Sequence, residues 1–95
     1  MTTEGGKQRR SVHYSGRVQG VGFRYAVRTA ATGYDVTGYV QNLDDGRVRV
    51  IVEGGNDEIE RFLAEIAERM SGYIRNADVH QSSATGEFSG FSIEH

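Results

Sequence analysis

The stretch Gly16-Arg17-Val18-Gln19-Gly20-Val21-Gly22-Phe23-Arg24 concentrates the residue types that hold an anion. Gly20 and Gly22 permit backbone angles that turn successive N–H groups into one concavity. The apolar period beginning at Phe23 marks a helix start, whose first N–H groups lack internal partners and carry partial positive charge. Arg24 falls in that first turn and adds a full charge on a planar fork suited to phosphate oxygens. An arginine there opposes the helix dipole, a conflict that a bound anion relieves. The plain alternative is a glycine turn followed by a solvated arginine. A Walker-type phosphate loop is excluded, because no Gly-Lys-Ser/Thr follows.

A second residue is placed by topology. Strand, helix and strand in succession form a right-handed crossover with the two strands parallel, so their C-terminal ends share one edge of the sheet. A helix of about ten residues covers roughly 15 Å, and the following strand returns over roughly 20 Å. Asn42, at the end of that strand, therefore comes back beside the glycine loop. Its side chain offers a donor and an acceptor, which can orient a water but cannot act as a general base. Taken alone, Asn42 also reads as a turn residue ahead of Asp44-Asp45-Gly46.

The elements that position these residues follow from periodicity. Residues 1–10 (MTTEGGKQRR) have no apolar period and read as a disordered lead-in, which leaves residues 11–95 as the folded domain. Ser11–Val18 alternates, with Val12 and Tyr14 on one face, and reads as a strand. Phe23, Ala26, Val27, Ala30 and Ala31 make an amphipathic helix that Gly33 ends by taking positive φ. Val36–Asn42 is rich in β-branched and aromatic residues. Asp44-Asp45-Gly46 signals a hairpin, and Arg47–Glu53 follows as a strand with Val48, Val50 and Val52 inward. Asn56 caps the next helix, whose buried stripe is Ile59, Phe62, Leu63, Ile66 and Met70 and whose stop is Gly72. Asn76–Ser82 is a weak strand and Phe88–Ile93 a short terminal one. The order is β-α-β-β-α-β: an α+β, ferredoxin-like sandwich of two helices on one face of an antiparallel sheet, with room for a short fifth strand.

Composition narrows the function classes. The chain of 95 residues has no cysteine, so disulfides, thiolate metal sites and thiol nucleophiles are excluded. The longest aliphatic run is Val50-Ile51-Val52, too short for a membrane helix or a signal-peptide core. The formal charge of −2 conceals a split between +5 over residues 1–28 and −7 over residues 29–95. That local excess of positive charge reads on composition alone as a basic tail ahead of an ordinary glycine turn, and more sharply as an anion site near the N-terminus. A cytoplasmic monomer with no nucleic-acid or membrane partner is the resulting expectation.

Here two motifs become specific. GRVQGVGFR (16–24) resembles the phosphate-loop signature of the acylphosphatases. GYVQNLDDGRVRVIVEG (38–54) resembles that family's second signature, with Gly38, Asn42, Gly46, Val48 and Gly54 at the matching places. The similarity covers about residues 11–95. It implies that Arg24 is the catalytic arginine on phosphate and Asn42 the asparagine that positions the attacking water. The backbone N–H groups of Gln19, Gly20, Val21, Gly22, Phe23 and Arg24 match the phosphate cradle. The implied activity is metal-free, cofactor-free hydrolysis of small acyl phosphates to carboxylate and inorganic phosphate. One departure is Asp35, where family members often have glycine.

Other candidates carry less. His13, His80 and His95 are scattered, so no metal site is expected. No serine sits in a nucleophile elbow. Asp44 and Asp45 occupy a turn, where solvated acids are the simpler reading. The Gly54-Gly55-Asn56 helix entry is satisfied by its cap. Arg47–Glu53 (RVRVIVE) lacks the aromatic pattern of an RNA-recognition sheet. Two alternatives stand beside the enzyme. One is a non-catalytic anion- or RNA-binding module built on the same loop. The other is an excised acylphosphatase-like domain of a carbamoyl-transferring hydrogenase-maturation protein, which the absence of a linker or zinc-finger cysteines after the last strand disfavours.

Overall fold

The computed structural model describes residues 6–95. Five strands and two helices alternate as β1 (Lys7–Gly16), α1 (Phe23–Ala31), β2 (Val36–Asn42), β3 (Val48–Gly55), α2 (Asn56–Arg69), β4 (Ile74–Ser83) and β5 (Phe91–Glu94). The sheet order is β4-β1-β3-β2-β5. β3 lies antiparallel between β1 and β2, so those two strands run the same way, as the crossover around α1 requires.

Both helices cover one face of the sheet. Val12 and Tyr14 of β1, Val40 of β2 and Val48, Val50 and Val52 of β3 point into that layer. They meet Phe23, Val27 and Ala30 of α1 and Ile59, Phe62 and Ile66 of α2. The period of two in the strands and of 3.6 in the helices thus converge on one core.

Four expectations are corrected. First, Lys7–Arg10 belong to β1 rather than to a disordered lead-in; residues 1–5 of that segment lie outside the described residues. The strand extends here through charge pairing across the sheet instead of apolar alternation. Arg9 lies opposite Glu53 in the register, and its Nε donates to Glu53 Oε2 at 2.8 Å. Arg10, buried beneath the start of α2, donates to Asn56 Oδ1 at 2.6 Å and pairs with Glu60 at 3.1 Å. Second, this contact takes Asn56 away from capping. Gly55 is the N-cap of α2 and Asn56 its first residue.

Third, the sheet is mixed rather than antiparallel throughout, because β5 pairs parallel to β2. The chain leaves β4 on one edge and returns across the open face to the other, so β5 must arrive running with β2. Glu53 holds that return: its carboxylate accepts from Thr85 N–H at 2.9 Å, Thr85 Oγ1 at 3.0 Å and Gly86 N–H at 3.0 Å. Phe88 then packs edge-on to Tyr39 and receives the Arg9 guanidinium over its ring. Fourth, α1 ends without positive φ at Gly33. Thr32 Oγ1 and the N–H groups of Thr32, Gly33 and Tyr34 satisfy the last carbonyls in a tightened turn.

Candidate active site

The loop joining β1 to α1 is anchored at both ends and open between them. Arg17 N–H donates to Tyr73 O at 2.9 Å, and the Val18 side chain is buried. Beyond the loop, Phe23 is sunk in the core against Tyr14, with ring centroids 5.2 Å apart. Gly20 and Gly22 take φ of 78° and 79°, the left-handed region that glycine enters without strain. Gly22 is also the N-cap of α1, which has neither a side-chain cap nor an acidic residue in its first turn. Among the described residues, no N–H from Gln19 to Arg24 donates to a loop or turn carbonyl. The helix start is therefore left as a set of free donors with a partial positive charge.

The Gln19 side chain fastens this loop to the far end of β2. Its Nε2 donates to Leu43 O at 2.8 Å and Arg47 O at 3.0 Å, spanning the turn that follows Asn42. Asp45 closes the same turn from the other side by accepting from Arg47 N–H and Arg47 Nε. Asn42, the last residue of β2 and paired with Val48, is thereby fixed beside the loop. Its Oδ1 is buried and accepts no hydrogen bond from any described residue. Buried acceptors are almost always paired, and Asn42 Oδ1 shares this open state with Gln8 Oε1, which does not line the cleft beside the loop.

A cleft of about 530 Å³ joins these groups, lined among others by Gly20, Gly22, Phe23, Arg24 and Asn42. The side chains of Gln19 and Val21 lie away from it, Gln19 turned to the β2–β3 turn and Val21 packed against the core, while the sequence assigns their backbone N–H groups to the cradle. Tyr25, Arg28 and His95 line it as well, and sequence reasoning did not place them there. For Arg28 a signal was available, since it follows Arg24 by one helical turn on the same face. For His95 it was not, because only the parallel docking of β5 beside β2 brings the chain end to this edge. Among the described residues, no group of three or more His, Asp or Glu side chains is arranged to hold a metal ion.

Comparison with known proteins agrees with this geometry. The Acylphosphatase family model matches residues 10–93. A curated acylphosphatase of Methanospirillum hungatei is 42% identical over 86 residues, spanning 90% of this chain and 92% of that relative. The crystal structure of acylphosphatase from Bacillus subtilis superimposes with a TM-score of 0.83 at 30% identity, over 93% of this chain and 99% of that one. The same unit occurs inside a longer protein. Full-length HypF in its phosphate- and nucleotide-bound form aligns with a TM-score of 0.85 at 35% identity, covering 94% of this chain but 12% of its own. The match takes in the glycine loop, both helices and the end of β2 that carries Asn42, and the chain belongs to the acylphosphatase family.

Proposed function

We propose that the cleft hydrolyses the carboxyl–phosphate bond of small acyl phosphates, with Arg24, Asn42 and the N–H groups of the glycine loop as its working parts. The phosphoryl oxygens sit on the loop donors and the Arg24 fork, which meet the charge carried by those oxygens in the transition state. Asn42 Oδ1 accepts a hydrogen bond from the water and aims the water oxygen at phosphorus. The water oxygen–phosphorus bond forms as the phosphorus–acyl oxygen bond breaks, and the electron pair leaves on the carboxylate. That leaving group is a stable anion near pH 7, so the step needs no general acid. The water's proton passes to a phosphoryl oxygen, giving inorganic phosphate.

The observation that carries this reading is that Asn42, whose buried Oδ1 has no partner among the described residues, lines the same cleft as Arg24 and the glycine loop. Hydrolysis of benzoyl phosphate by the wild type, with Arg24→Ala and Asn42→Ala each reduced at least about a hundredfold, is the expected result. Phosphate binding without turnover in the wild type would instead favour an anion-binding module. A cytoplasmic location and a monomeric state belong to the same reading. A mass of 10.5 kDa by light scattering tests the second.

A further inference from the structure

The cleft extends past the groups that engage phosphate and water. Its volume of about 530 Å³ exceeds what one tetrahedral anion fills, and its lining continues from the loop onto Tyr25 and Arg28 of α1 and onto β5. Arg28 lines that extension, one turn beyond Arg24 and roughly 6 Å further along the helix axis. Among the described residues, no Asp or Glu lines the cleft, while Tyr25 and His95 do. Elsewhere, Arg9, Arg10, Arg47, Arg61 and Arg69 each pair with a carboxylate. Among the described residues, Arg24 and Arg28, like Arg17, Arg49 and Arg75, have no such partner; of these five, only Arg24 and Arg28 line the cleft. Like charges four residues apart on one helix repel, and the phosphoryl group relieves only one of them.

We infer that Arg28 receives a second anion, carried on the acyl chain of the substrate. The preferred substrates are then monoacyl phosphates of short dicarboxylic acids, whose far carboxylate reaches Arg28 while the phosphoryl group rests on the loop. His95 and the Tyr25 hydroxyl add polar contacts on either side of that carboxylate. This rests on the acyl phosphatase reading of the cleft and leaves the bond chemistry unchanged; Arg28 sets which acyl group is held.

Succinyl phosphate and butyryl phosphate have chains of equal length and differ in the terminal charge, so their kcat/KM ratio isolates the effect. The wild type is expected to favour succinyl phosphate by about tenfold, chiefly through KM, with the preference shrinking as salt is raised. In Arg28→Gln the ratio falls to near one, and Arg28→Lys keeps part of it. Arg28 is exposed, so these variants keep the fold. A wild-type ratio near one, or an unchanged ratio in Arg28→Gln, overturns the assignment while leaving the hydrolase reading intact. Failure of the wild type to cleave either compound removes both.

Discussion

Arg24 and Asn42 make separable demands on the chemistry. Replacing Arg24 by lysine keeps the charge but loses the planar fork. Acetyl-phosphate hydrolysis is expected to fall at least about a hundredfold in Arg24→Lys, and near-normal rates would reduce this residue to a point charge. Asn42→Ala is expected to lose kcat by a similar factor while inhibition by inorganic phosphate stays close to wild type, because water positioning and phosphate holding are then distinct. Full activity in that variant would end the role assigned to Asn42. That both residues come to one cleft was legible from sequence: Arg24 from glycine spacing ahead of a helix, Asn42 from the handedness of the crossover. Arg28, Tyr25 and His95 were not read as neighbours of the loop. Their place in the cleft depends partly on β5 landing beside β2, a pairing no local pattern encodes.

Between elements, the Gln19 amide and the Glu53 carboxylate are the fasteners. Gln19 ties the glycine loop to the β2–β3 turn by two hydrogen bonds from one nitrogen. Removing it in Gln19→Ala is expected to cost only about 1 kcal/mol in stability. It should nevertheless raise the phosphate inhibition constant about tenfold, since loop donors and Asn42 lose their common anchor. Unaltered phosphate inhibition would make the tie purely structural. Element order and both helices were readable because apolar periods there are strong. The first residues of β1 escaped that reading, since Arg9 and Arg10 hold the strand through Glu53, Asn56 and Glu60 rather than through an apolar period. The same pairings took Asn56 from the cap position that its residue type suggested.

Across the whole molecule, the charge split of the sequence becomes a set of contacts between its ends and its middle. Burial works against the charge on Glu53. Donation from Thr85 N–H, Arg9, Gly86 N–H and the Thr85 hydroxyl outweighs it and holds the carboxyl at about 2, against an ordinary 4.5. A depressed folded value means that its contribution, on the order of 2–3 kcal/mol, is complete above pH 4.5 and is lost as pH falls toward 2. Glu53→Gln should flatten the acid side of a stability–pH curve measured by urea unfolding; an unchanged slope would assign acid sensitivity elsewhere. At Gly38, φ is 143° and a Cβ would collide with the Ile51 carbonyl. Gly38→Ala is expected to destabilise by about 2–4 kcal/mol and lower Tm by more than about 10 °C. The register that joins Gln8 to Ser83 also governs how the protein comes into being. β1, an interior strand, must wait for partners made much later in synthesis, and closing such distant pairs is slow, on a scale of milliseconds to seconds. An unfinished chain therefore carries its glycine loop without a cleft. Catalytic competence should appear all at once, only after the last strand has emerged and docked.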